Sequence, residues 1–265
     1  MAANYWESSQ FQRFLLTRYE LAEIIHRHTA QVSLREISYL NIYFANLIVL
    51  LGKRLRIRQE IIATATVYFK RFYINNTFYD IDPYLMLSTC VYLACKVDEC
   101  PHHIKQVWGE SKAVFAELSS DIRFLYDVSD IAECESYLLE EMKFYLVVYH
   151  PYQVLIDIAD KVSMTKPSLQ ATWSIINDTY KTDLVFIYPP HVIAVAAMFL
   201  SRIIDQGHQS DTEAQQWYAD LNVEITDVLQ VVNDLLVLYE YWKDYSEPNM
   251  PDMVSKYIAD IAASL

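Results

Sequence analysis

Glycine is almost missing from this chain. Its 265 residues include only Gly52, Gly109 and Gly207. Hairpins and phosphate-cradling loops use glycine where φ must be positive or the backbone must come close. So little glycine argues against a β-rich fold and against glycine-rich nucleotide-binding loops. Cysteine is also scarce, and Cys90, Cys95, Cys100 and Cys134 contain no CxxC pair. Residues five apart on a helix point about 140° apart, so Cys90 and Cys95 cannot hold one metal from one helix. "CPHH" (Cys100 to His103) offers a thiol and two imidazoles without further ligands at zinc spacing. No metal and no other cofactor is expected, and the thiols read as buried free cysteines of a reducing compartment. Basic charge is short: 21 Lys and Arg face 34 Asp and Glu, a formal net charge of -13. That disfavours a direct nucleic-acid partner. One basic run, "KRLRIR" from Lys53 to Arg58, stands apart and reads first as a solvated helix end. The start, "MAANYWESSQ", has no apolar signal core. The longest clean apolar run, "VIAVAAMFL", falls well short of the about 20 residues that span a bilayer. A soluble intracellular protein with no membrane partner is expected. HExxH and DDxxD are absent, and His102, His103 and His150 lack partners at ligand spacing. An enzyme is therefore not expected.

What the chain does have is apolar periodicity punctuated by proline. Hydrophobic residues make up 53% of it, enough for one large or two modest domains. "IDPYLMLSTCVYLACKV" opens with Asp82 as N-cap and Pro83 at the first helical position. "YPPHVIAVAAMFLSRII" opens the same way at Pro189 and Pro190. Aligned from Pro83 and Pro190, Leu85 meets Val192, Tyr92 meets Phe199 and Leu93 meets Leu200. Each segment follows a helical stretch with an aromatic-rich end and precedes a third amphipathic stretch. The expected fold is all-α, two copies of one helical bundle with extra helices at both ends. The expected boundaries are an N-terminal segment 1–30, a first repeat 31–149, a second repeat 150–245 and a C-terminal helix 246–265. Pro151 marks the junction.

The copies differ at one position. Lys96 in the first aligns with Ile203 in the second. Lys96 lies on the helical line of Leu85, Thr89 and Leu93, a mostly apolar stripe. Glu135 in "ECESYLLEEMKFYL" is likewise set among Ile131, Leu139 and Met142. Unpaired buried charge is costly. Two opposite charges on apolar edges fit a surface where donors and acceptors clamp the backbone of a partner helix. A lysine favoured by the helix dipole, its stem lying over apolar surface, is the plainer alternative.

Three segments carry a resemblance. "ATATVYFKRFY", "DPYLMLSTCVYLACKVDE" and "ECESYLLEEMKFYLVVYHPY" resemble the cyclin box. With "NYWESSQ", "WSIINDTYKTDL" and "YPPHVIAVA" the likeness covers nearly the whole chain and is nearest to the C-type cyclins of the Mediator kinase module. It implies two tandem five-helix cyclin boxes and a non-enzymatic, nuclear subunit. Such a subunit activates a transcriptional cyclin-dependent kinase and meets other kinase-module subunits. It also implies that Lys96 and Glu135 hold the kinase's regulatory helix. Leu138, Phe144 and Tyr73 are candidate apolar neighbours in that contact, and the sequence leaves open which of them point outward. The helix "LNIYFANLIVLLGKRL" lacks the Met-Arg-Ala-Ile-Leu stretch of cell-cycle cyclins, so a substrate groove of that type is not expected. A cyclin-fold general transcription factor bridging DNA and protein is the alternative. It calls for basic surfaces and usually a zinc ribbon, which the charge and cysteines do not supply.

Two further surfaces follow. Trp173, Asn177 and Tyr180 recur at steps of four and three, with Asp178 adjacent. They read either as a recognition surface in a groove between the repeats, toward which the resemblance tilts, or as a core helix with its Trp inward. Trp6 precedes the first repeat, and Asp98 and Glu99 close a helix where carboxylates oppose the dipole. The resemblance points these three toward an activating partner. A packed Trp and two solvated acids is the alternative.

Overall fold

The computed structural model describes residues 4–28, 33–118, 122, 124–162, 164–206 and 223–264. Residues 29–32, where the expected start of the first repeat falls, lie outside them. Among the described residues there is no strand. The helices are α1 Ser9–Arg13, α2 Arg18–His28, α3 Leu34–Leu55, α4 Gln59–Asn75, α5 Pro83–Val97, α6 Ile104–Leu118 and α7 Val128–Glu141. Then follow α8 Pro151–Lys161, α9 Lys166–Thr179, α10 Leu184–Ile187, α11 Pro190–Gln206, α12 Ile225–Lys243 and α13 Met250–Ser264. The chain forms two compact units: residues 1–148 with 241–265, and residues 149–240.

In the first unit α5 is the central helix. Asp82 accepts hydrogen bonds from the Tyr84 and Leu85 amides at 2.8 and 3.2 Å, and Pro83 fills the first turn. Every α5 residue from Pro83 to Val91 is buried. Around it pack α4, α7, α3 and α6. α3 begins at a capping box between Ser33 and Glu36. It is long and apolar enough to cross a membrane by length and composition. Its Tyr43, Phe44, Leu47, Ile48 and Leu51 are instead buried in the core of this unit. α3 and α4 approach closely at Gly52, where an added Cβ would lie 2.5 Å from Ile62 Cγ1. The C-terminal helix α13 returns to this unit and places Met250, Val254, Tyr257 and Ile261 in the same core.

In the second unit α11 plays the part that α5 plays in the first. It begins at Pro190, buries Val192 through Met198, and packs on α9 and α8. α9 is capped by Thr165. Tyr188 donates to Gln230 Oε1 at 2.6 Å, tying the start of α11 to α12.

Candidate functional site

Lys96 stands in the last turn of α5 and Glu135 in the middle of α7. The two helices pack along their length, because Ile131, Cys134 and Leu138 form one buried stripe of α7. Glu135 lies one residue outside that stripe. Its Oε1 accepts a hydrogen bond from Lys96 Nζ at 2.6 Å. The Lys96 side chain is 43% exposed and that of Glu135 15%. The Lys96 ammonium also lies 5.0 Å from the centroid of the Tyr92 ring, one turn back. So exposed a pair contributes at most about 1 kcal/mol to folding. What matters is what it leaves over. Among the described residues, the other two Lys96 donors and Glu135 Oε2 have no hydrogen-bond partner. Donors and an acceptor stand side by side at the edge of an apolar surface.

The segment after α7 exposes further apolar side chains. Tyr68 of α4 donates to the Leu146 carbonyl at 2.5 Å, and Arg71 Nη1 donates to the Tyr145 carbonyl at 3.2 Å. Arg71 is buried, with its guanidinium 4.0 Å above the Phe14 ring, and burial pulls its pKa down to about 10. These bonds hold the strip whose Phe144, 69% exposed, and Val147 face outward. Lys143 and Phe144 both have positive φ, as does Glu99 just after α5. Backbone in sparsely populated regions therefore follows both helices that carry the charged pair.

One of the expected apolar neighbours, Leu138, needs correction. Leu138 is fully buried in the first-unit core and offers no surface to a partner. It points to α5 because it continues the Ile131–Cys134 stripe. Tyr73 is only partly buried, but its ring is packed among Phe69, Phe72 and Phe78 and its hydroxyl donates to the Ile81 carbonyl at 2.8 Å. Val147 was not singled out from sequence, since nothing in its pattern distinguishes an outward apolar residue from a core one.

Trp6 is 52% exposed and meets Tyr5 and Phe11 edge-on at 5.4 and 5.0 Å. Asp98 has a local role that sequence reasoning missed. It is half-buried at the end of α5 and accepts a hydrogen bond from Thr64, which opposes the upward push that burial gives its pKa. Glu99 is exposed.

Trp173, Asn177, Asp178 and Tyr180 all belong to the second unit. Trp173 stacks on Tyr152 of α8 at 4.4 Å, and the Tyr152 hydroxyl donates to Asn177 Oδ1 at 2.8 Å. Asp178 accepts from Lys181 at 2.7 Å and from the Tyr239 hydroxyl at 3.1 Å. Tyr180 is a correction. It is buried, its hydroxyl lies 2.6 Å from His150 Nδ1, and its ring stacks against Tyr152, so it faces α8 and not a partner. Trp173 is half-buried, while Asn177 satisfies a tyrosine that is itself buried.

Burial raises the thiols of Cys90, Cys95 and Cys134, the last two to about 12 and about 11. They are neutral at physiological pH. His102 is engaged by two carbonyls, of Cys100 at 3.0 Å and Leu55 at 3.1 Å. Among the described residues, no three His, Cys, Asp or Glu side chains are grouped to hold a metal ion.

Comparison with known proteins agrees with this architecture. The cyclin N-terminal domain family matches residues 15–147. The RNA polymerase II holoenzyme cyclin-like subunit of Aspergillus clavatus is 36% identical over 300 residues, covering 97% of this chain and 98% of its own length. That of Yarrowia lipolytica is 37% identical over 284 residues, covering 97% and 100%. The fold resembles a chain of the yeast TFIIK complex (Kin28/Ccl1/Tfb3), with TM-score 0.67 and 21% identity over 88% of this chain and 99% of that one. It also resembles a chain of the yeast RNA polymerase II CTD kinase CTDK-1 complex, with TM-score 0.68 and 18% identity over 86% and 73%. By domain match and by identity along nearly its full length, this chain is a member of the cyclin family.

Proposed function

We propose that this protein is the activating cyclin subunit of a cyclin-dependent kinase acting on RNA polymerase II transcription, within the Mediator kinase module and in the nucleus. The names of the fungal relatives and the kinase complexes that share the fold support the transcriptional setting. The observation that carries the reading is the Lys96–Glu135 pair, with donors and an acceptor left over, on the unit that also exposes Phe144 and Val147. The pair binds backbone groups of the kinase's regulatory helix only when that helix lies inward. In that position the helix glutamate meets the lysine of the ATP site. The cyclin's greater affinity for the inward state shifts the kinase toward activity, with no chemistry on the cyclin itself. Affinity purification should recover a cyclin-dependent kinase. Lys96→Ala and Glu135→Ala should each weaken its binding by about 2–5 kcal/mol, because each leaves a desolvated charge unpaired in the complex. Both variants should melt close to the parent, and unchanged kinase affinity in both would remove the assignment.

Trp6 and the exposed Glu99, with Asp98 beside it, form in this proposal a second surface for an activating subunit of the same module. The triple variant Trp6→Ala, Asp98→Ala, Glu99→Ala should keep binary kinase binding and lose stimulation by that subunit. Full stimulation would sink this second surface.

A further inference from the structure

The basic run Lys53–Arg58 is the strongest local reversal of sign in a chain of formal net charge -13. It forms the end of α3, a tight turn and the residue that opens α4. His102 hydrogen-bonds the Leu55 carbonyl and so holds the start of the segment that leads to Lys105 against the end of α3. Lys53, Arg54, Arg56, Arg58 and Lys105 are all exposed.

Local physics accounts for part of this run. Lys53 and Arg54 lie in the last turn of α3, where the dipole favours cations, and Arg54 pairs with Glu117. Backbone conformation opposes Arg56, and the dipole of α4 opposes Arg58. Arg56 closes α3 at φ 56° and ψ 37°, a left-handed position that glycine fills at no steric cost. Arg58 is the N-cap of α4 and makes no side-chain cap hydrogen bond. Serine, threonine or a carboxylate would serve there, and a cation is unfavourable beside a helix N-terminus. Among the described residues neither arginine forms an ion pair. Acidic groups do stand nearby: Glu60 in the first turn of α4, Asp98, whose carboxylate feels the Arg58 charge, and Glu99. Among the described residues, four non-glycine residues have positive φ: Glu99, Lys143 and Phe144 follow the helices of the charged pair, and Arg56 closes α3.

We propose that Lys53, Arg56 and Arg58, with Lys105, form a docking surface for an Asp- and Glu-rich segment of a partner protein. The cations are spread over a helix end, a turn and a neighbouring segment, which suits several separated carboxylates. Arginine's planar fork adds paired hydrogen bonds to each carboxylate. A nucleic acid would need a longer basic track, and the acidic remainder of the chain repels it. This surface shares no residue with the kinase-binding pair, and the proposal does not rest on that pair.

The test uses the full-length chain and a labelled octapeptide of alternating Asp and Glu, read by fluorescence anisotropy at low and physiological ionic strength. The parent should bind with an affinity that falls as salt rises. Arg56→Gly with Arg58→Ser removes both charges while supplying better local residues. This variant should bind about tenfold more weakly and melt at the same or a higher temperature. Arg56→Asn with Arg58→Asp, which also suits both backbone positions, should abolish binding. A control lacking Lys161 and Lys166 in the second unit should bind like the parent. Equal affinity of parent and both double variants overturns the proposal. So does a large fall in melting temperature in both, which would make the arginines structural. Tighter binding of a single-stranded oligonucleotide, or of a neutral peptide with one phosphoserine, overturns the assigned occupant.

Discussion

α5 and α11 begin alike and end differently. Both open on proline, both bury most of their length, and both pack as the central helix of their unit. At the end of α5, Lys96 reaches across to Glu135. At the aligned position of α11 stands Ile203, with Ile204 beside it exposed. One unit thus folds without the charge that the other carries, so the bundle does not need it. In the proposed function the pair on the first unit is an addition for binding. The units also differ in how the first helix of each bundle meets the second. α3 comes close to α4 by having no side chain at Gly52, whereas α8 meets α9 through the stacked rings of Tyr152 and Trp173.

Making the two helices alike at this position gives the largest expected effect. Lys96→Ile copies α11 into α5. It should leave the melting temperature nearly unchanged, because an exposed ion pair contributes at most about 1 kcal/mol. Kinase affinity should fall by about 2–5 kcal/mol, since Glu135 then enters the complex without its cation. The reverse change, Ile203→Lys, should leave affinity as it is. Isothermal titration of both variants against the purified kinase decides. An Ile203→Lys variant that restores binding to Lys96→Ile would show that the units are interchangeable after all.

The next test separates the two sides of α7. Leu138→Ala opens a cavity in the first-unit core and should cost about 2–5 kcal/mol in denaturant unfolding. Phe144→Ala removes an exposed ring and should cost under about 0.5 kcal/mol, while weakening kinase binding. The reversed order would return Leu138 to the surface and Phe144 to the core. This pair also shows where sequence stops being legible. Lys96 and Glu135 could be found because a charge on an apolar stripe is conspicuous. Leu138 lies on the adjoining Ile131–Cys134 stripe of α7, and periodicity marks a face as apolar without saying whether a neighbouring helix covers it. Tyr180 misled for a similar reason. Its spacing from Trp173 and Asn177 is right for one face, but that face is turned to Tyr152 and His150 of its own unit. The helices themselves were readable throughout, since proline, caps and apolar spacing are local signals. Arg71 beneath Phe14 joins residues distant in sequence and leaves no local trace.

The smallest expected effects come from the two glycines of the first unit, and their signs should differ. An alanine at Gly52 would put its Cβ 2.5 Å from Ile62 Cγ1 and 2.6 Å from Ile62 Cδ1. Ile62 is buried, so its side chain cannot swing clear without disturbing its neighbours. Overpacking of this kind costs about 1–3 kcal/mol. The second unit, whose first two helices meet through stacked rings, should unfold as before, which unit-resolved hydrogen exchange can read. Gly109 is the opposite case. It lies inside α6, and an added Cβ there meets nothing within 4 Å. With no steric objection, Gly109→Ala should stabilise by about 0.5–1 kcal/mol, because alanine loses less backbone freedom on entering a helix. Urea unfolding of both variants under one set of conditions checks the pair. Destabilisation by Gly109→Ala would mean that the open space beside α6 is needed by something the chain binds there.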